Sequence, residues 1–184
     1  DTIAWEIGKK MADDMLKDYY QKNGHYPETA GVVLWSTETI RTNGQTIAMI
    51  LRYMGLEPEW KSGRFVGVKV TPLSELQRPR VDVLVTISGL FRDTFPYTID
   101  ILDNAFRQVA NMSESTSNNF VKKHYQNNYN KYVNSGMSSK DADILAGARI
   151  FGEAPRSYGT GVAAQVPSTS KWKDQSDLVD TYLS

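Results

Sequence analysis

The chain has 184 residues, 40% of them apolar, with 21 basic residues against 21 acidic ones and a formal net charge of zero. That balance gives nucleic acid or an acidic membrane surface no electrostatic footing. The absence of cysteine excludes disulfides, thiolate metal sites and cysteine nucleophiles.

No apolar run approaches the roughly 20 residues that cross a bilayer. The start, DTIAWEIGKK, is acidic and amphipathic and has no signal-peptide pattern. A thiol-free chain fits a reducing compartment, and a cytoplasmic location is expected. The missing initiator Met leads us to expect a processed or excised piece of a longer protein.

Thr2 to Gln21 reads as an amphipathic helix. Ile3, Ile7, Met11, Met15 and Tyr19 recur at four-residue steps, with Trp5, Ala12 and Leu16 beside them. Asn23-Gly24 stops it. Gly31 to Trp35 is a short apolar run, expected to be a central strand. Ser36 to Gly44 (STETIRTNG) reads as a polar loop rich in capping residues. Gln45 to Met54 follows as a helix with Ile47, Ile50 and Leu51 on one face and Gly55 as its stop.

Pro58 to Trp60 starts a second strand or a hairpin arm, with a turn at Ser62-Gly63. The alternation over Phe65 to Val70 predicts a half-exposed strand. Thr71-Pro72 opens a short helix to Leu76. After the basic lead-in Arg78-Pro79-Arg80, Val81 to Ile87 forms an apolar, β-branched run holding one acid, Asp82. Ser88-Gly89 is a small-residue turn that delivers Phe91-Arg92-Asp93.

Helices are predicted over Pro96 to Met112, Ser113 to Asn134 and Ser138 to Leu145. The glycine-rich FGEAPRSYGTG (151–161) is a loop, and a Trp172-bearing helix closes the chain over Ser168 to Ser184. The alternation predicts an α/β fold: a small parallel sheet of flavodoxin or Rossmann type in three layers, with a helical C-terminal portion. Residues 1–112 are expected to form the α/β domain and 113–184 a mostly helical extension packed on it. Right-handed crossovers put the first strand beside the Val81 to Ile87 strand.

If those two strands are parallel neighbours, Thr37, Glu38, Thr39 and Arg41 face Ser88, Arg92 and Asp93 across a crevice at the strands' carboxyl ends. Arginines there suit carboxylates, and Glu38 or Asp93 can take or give protons. The same charges also suit plain structural ion pairs, Arg41 with Asp93 or Arg92 with Glu38. His124 is the one histidine in a predicted helix, where a surface or capping role is the default. No second histidine stands at metal-ligand spacing, which argues against zinc. The 151–161 loop lacks the Gly-Lys-Ser/Thr ending of a phosphate loop. The residues by themselves lead to an α/β domain with a charged crevice and name no substrate.

RPRVDVLVTISGLFRDTFP (78–96) resembles a signature of the CobN and magnesium chelatase H-subunit family. Leu34-Trp35-Ser36-Thr37-Glu38-Thr39-Ile40-Arg41 with Gly44 is similar to that family's W-G-T-[ED]-x-[IL]-[RK]-x-x-G segment, with Ser36 in place of the usual Gly. LRYMGLEP (51–58), NFVKKH (119–124), and Arg149-Ile150-Phe151-Gly152 with Pro155, Tyr158, Gly159 and Gly161 resemble further segments, as do Trp172 and Leu178 to Leu183. Gln77 departs from a Gly often found before Arg-Pro-Arg.

The resemblance implies a fragment from the C-terminal half of the large subunit of an ATP-dependent cobaltochelatase. Such a subunit inserts Co²⁺ into the corrin ring of hydrogenobyrinic acid a,c-diamide during cobalamin biosynthesis. A magnesium chelatase H subunit acting on protoporphyrin IX is the alternative, and TETIRT leans to cobalt. A third possibility is a structural or partner-docking segment that touches neither ring nor metal.

The implied partners are the tetrapyrrole, the rest of the large subunit and AAA+ ATPase subunits, which use the ATP; this chain is not expected to bind it. The implied roles are Glu38 and Asp93 as catalytic bases, His124 as a metal ligand, and Thr37, Arg41, Ser88, Arg92 and Tyr158 as substrate contacts. The isolated fragment is expected to be inactive.

Overall fold

The computed structural model describes residues 2–42 and 44–152. Helix α1 (Thr2–Asn23) leads into β1 (Thr29–Leu34), α2 (Ser36–Arg41) and α3 (Gln45–Met54). A hairpin follows, β2 (Leu56–Lys61) and β3 (Arg64–Val70). After α4 (Leu73–Leu76) come β4 (Asp82–Ile87), α5 (Gly89–Thr94), α6 (Pro96–Ala110), α7 (Phe120–Asn134), α8 (Ser139–Gly147) and β5 (Ile150–Gly152). The predicted 151–161 loop beyond Gly152, and the predicted helix over Ser168 to Ser184, lie outside the described residues.

The fold is mixed α/β, around a parallel sheet of order β1-β4-β5. β1 and β4 are parallel neighbours, as the crossover rule predicts. They run in register from Thr29 opposite Asp82 to Leu34 opposite Ile87. β4 is central and buried on both faces. Val81, Val83, Val85 and Ile87 point into one core with Leu34, Ile50, Leu51, Phe91, Leu102 and Phe106. Leu84 points the other way, onto a second cluster of Tyr132, Ala142, Leu145, Ala146 and Phe151. Alternate side chains of a strand face opposite sides, so helices cover both faces and the molecule has three layers. Each such buried apolar side chain contributes about 1.5–3 kcal/mol.

Four expectations are decided or corrected. Of the two readings of Pro58 to Trp60, the hairpin arm is the one observed. β2 pairs antiparallel with β3, because Ser62 (φ 51°) and Gly63 (φ 76°) make the expected tight turn and close a hairpin locally. The third parallel strand is β5. Second, the predicted loop begins with a helix, α2 (Ser36–Arg41), which packs against α5. Third, α7 starts at Phe120 and not at Ser113. The Asn119 side chain caps it, accepting from the Lys122 N–H at 2.9 Å.

The fourth correction concerns α1. Its buried line is Ala4, Gly8, Ala12 and Leu16, and the larger residues Ile3, Ile7, Met11, Met15 and Tyr19 are exposed. α1 packs along α3 at a distance only small side chains allow: a Cβ on Gly8 would stand 2.5 Å from the Ala48 Cβ. Close approach therefore selects the small stripe, and the large stripe is left outside.

Candidate functional site

The carboxyl ends of β1 and β4 lie side by side, Leu34 against Ile87, and each strand turns directly into a short helix. α2 and α5 are neighbours there. The structure thus brings together Thr37, Glu38, Thr39 and Arg41 on α2 with Ser88, Arg92 and Asp93 at α5. Thr37 is exposed, whereas Thr39 is buried.

The Ser88 side chain caps α5, accepting from the Phe91 N–H at 3.1 Å. Arg41 turns back to Glu38 on its own helix, donating from Nη2 to Oε1 at 2.9 Å and Oε2 at 2.7 Å. This contact takes the place of the cross-crevice pairs weighed from the sequence. With the Arg41 side chain 74% exposed, the pair is a weak one of well under ~1 kcal/mol, so both groups can exchange it for a ligand. Burial lowers the Arg92 pKa from its ordinary value, and the neighbouring Asp93 charge opposes that shift. A partly desolvated guanidinium of this kind gains more than an exposed one from an incoming carboxylate.

His124 is elsewhere. Its Nδ1 meets Asp82 Oδ2 at 2.8 Å and its Nε2 meets Glu28 Oε1 at 3.2 Å. Asp82 opens β4 while the crevice lies past its last residue, about 17 Å away at ~3.3 Å per residue. His124 and the crevice are therefore at opposite ends of the sheet. Among the described residues no group of three or more His, Asp or Glu side chains is arranged to hold a metal ion. Tyr158 lies outside the described residues.

Sequence reasoning missed the network around His124. Asp82, fully buried, accepts from Arg149 Nε at 2.7 Å and from the Val83 N–H at 2.8 Å. Glu28 accepts from Lys123 Nζ at 2.8 Å. Burial disfavours the Glu28 anion, but Lys123 and His124 outweigh it and hold the carboxyl below its usual range. The signal was a single acid at the start of an otherwise apolar strand, which demands a buried counter-charge.

A second missed hub is Arg80. Its guanidinium donates to the Met54, Gly55 and Thr71 carbonyls and to both Glu114 oxygens.

The family profile described as CobN/Magnesium Chelatase matches residues 1–184. This chain belongs to the CobN/magnesium chelatase family. Within that family it is 36% identical to the aerobic cobaltochelatase subunit CobN of Sinorhizobium sp. over 183 residues, covering 98% of this chain and 14% of the relative. It is 36% identical to the H subunit of magnesium chelatase from Chlorobaculum parvum over 182 residues, again with 98% and 14% coverage. The solved catalytic subunit of cobaltochelatase from Mycobacterium tuberculosis superposes with a TM-score of 0.76 at 36% identity. That match covers 97% of this chain and 15% of the other. The chain thus spans about one seventh of the length of these relatives, and cobalt and magnesium enzymes of the family match it equally well.

Proposed function

We propose that this chain is a segment of the large subunit of a tetrapyrrole metal chelatase, and that the α2/α5 crevice belongs to its insertion site. The carrying observation is the meeting of two acid–arginine sets, Glu38 with Arg41 and Arg92 with Asp93, at the carboxyl ends of adjacent parallel strands. Insertion replaces ring N–H protons with one divalent metal ion: one proton leaves a corrin, a monoanionic ligand, and two leave a porphyrin, a dianionic one, so a proton acceptor is needed in either case. Glu38 and Asp93 are the acceptors, and Arg41 and Arg92 hold peripheral carboxylates of the ring. We assign the metal as Co²⁺ and the ring as a corrin, with Mg²⁺ and a porphyrin as the alternative. ATP is consumed by separate AAA+ subunits. Residues 1–112 and 113–184 act as two parts of one unit, since β5, from the second part, completes the sheet of the first.

The test uses the full-length large subunit with its ATPase partners. Loss of a positioned proton acceptor lowers rates by about 10²–10⁴-fold. Glu38→Ala with Asp93→Ala is therefore expected to cut metal insertion at least ~100-fold with ring affinity kept within a few fold. Parental insertion rates in the double variant would make the crevice structural. Running Co²⁺ and Mg²⁺ side by side in the same assay assigns the metal.

One observation favours an additional docking role. α1 leaves Ile3 (71% exposed), Ile7, Met11, Met15 and Tyr19 on its outer face. The relatives carry about six times more polypeptide than this chain matches, and we assign that remaining polypeptide of the same subunit as the cover. Ile7→Glu with Met11→Glu in the full-length subunit is expected to lower its unfolding temperature by several degrees and to speed amide exchange along α1. Unchanged exchange and melting would show that nothing covers the stripe.

A further inference from the structure

Beside the crevice the structure holds a cavity of about 590 Å³ whose walls include Trp5, Ile40, Leu51, Trp60, Phe65 and Phe95. We infer that this cavity seats the flat apolar body of the ring, with the crevice taking its charged edge. The inference rests on the chelatase reading above and adds the place where the ring lies.

The walls come from five parts of the chain. α1 gives Trp5, α2 gives Ile40, α3 gives the floor at Leu51, the hairpin gives Trp60 and Phe65, and the α5–α6 junction gives Phe95. The volume falls in the ~300–1,000 Å³ range of small-molecule sites, which are apolar and aromatic with few polar groups. Besides the indole N–H groups of Trp5 and Trp60, the polar side chains among the lining residues are the Thr39 and Thr98 hydroxyls. Trp60 and Phe65 meet edge to face at 6.0 Å, and Phe95 leans on Phe91 at 4.9 Å. Such contacts hold rings in fixed planes, which suits a planar guest.

The cavity mouth is apolar as well. Two lining residues, Ile40 at 63% and Trp60 at 41%, are also exposed to solvent.

Continuity with the charged groups decides the guest. Ile40 immediately precedes Arg41, and Phe95 stands two residues after Asp93. α2 thus carries the lining residue Ile40 next to one acid–arginine set, and the α5–α6 junction carries Phe95 just past the second set; the four charged residues lie beside the cavity and do not line it. A guest that fills the cavity and emerges between α2 and α5 must be broad and apolar at its centre and acidic at its rim. A planar macrocycle with carboxylate side chains has that distribution.

The experiment titrates the full-length subunit with hydrogenobyrinic acid a,c-diamide and, in parallel, with protoporphyrin IX, each followed by its strongest near-ultraviolet absorption band. Ile40→Asp and Trp60→Ala alter exposed mouth residues, and each is expected to weaken binding at least tenfold with the circular dichroism spectrum unchanged. Binding within twofold of the parent in both variants overturns the inference. An independent reading needs no variant. The ring that binds is expected to slow amide exchange in residues 56–70, and unchanged exchange there overturns the inference. If the parent binds the ring and Arg41→Ala weakens it while the mouth variants do not, the chelatase reading stands and the cavity is excluded. If the parent binds neither ring, both fall.

Discussion

Arg149→Leu is expected to destabilise the fold by about 3–5 kcal/mol, the usual cost of removing one partner of a buried ion pair. Asp82 is fully buried and Arg149 is 1% exposed. The carboxylate would keep His124 and the Val83 N–H but lose the guanidinium at 2.7 Å. Arg149 also donates to the Ala146 carbonyl at 2.7 Å and the Ala148 carbonyl at 3.0 Å, so the loop before β5 loses its anchor too. Urea unfolding of the chain should show a lower midpoint at constant slope. Pairing the change with Asp82→Ala should cost less than the two single losses added together, because the lone buried charge is gone. A strictly additive double variant would mean that the two side chains do not depend on each other.

Arg80→Lys is expected to cost about 2–4 kcal/mol even though it keeps the charge, because it strands several acceptors at once. Arg80 is fully buried. One guanidinium spans Met54 O at 3.1 Å, Gly55 O at 2.9 Å, Thr71 O at 2.8 Å and the Glu114 carboxylate at 2.8 Å. An ammonium cannot span them in one plane, and each buried carbonyl left without a donor costs about 1–3 kcal/mol. These carbonyls flank the start and end of the hairpin, where the Thr71 N–H also donates to Gly55 O at 2.9 Å. The damage should therefore be local. Amide exchange should rise first at Thr71 and along β2 and β3, while β4 stays protected. Uniform acceleration over the whole chain would contradict the role of Arg80 as the hairpin's clamp.

Local signals were the legible ones. α3 is found at its expected bounds, Gln45 to Met54, because its apolar face ends at Gly55, whose φ of 73° closes the helix. β4 was legible as a β-branched run, and its place beside β1 followed from crossover handedness. The meeting of the two crevice segments came from those two facts together. What failed depended on distances between elements. The buried face of α1 was not legible because periodicity finds apolar lines but not which of two adjacent lines fits under a close neighbour. α2 escaped because STETIR has no apolar period. The partner of Arg41 depends on rotamers. The place of His124 depends on where α7, about forty residues further along, crosses the beginning of β4.

The ion network around Asp82 also dictates an order of assembly. Asp82 meets its counter-charge 67 residues later, at Arg149, and β5 follows immediately. A chain synthesised from its N-terminus has α1, β1, α3 and the hairpin in hand long before that arginine exists. Closing β4 into the core before α7 and Arg149 are made would leave the Asp82 carboxylate in an apolar interior with neither His124 nor the guanidinium. The central strand therefore gains its last neighbour and its neutralising charge in a single late step, and the helices between them, α6, α7 and α8, must already be made. Such distant pairings slow folding relative to local ones. The sheet that carries the crevice is therefore expected to close last, once β5 is available to pair with β4.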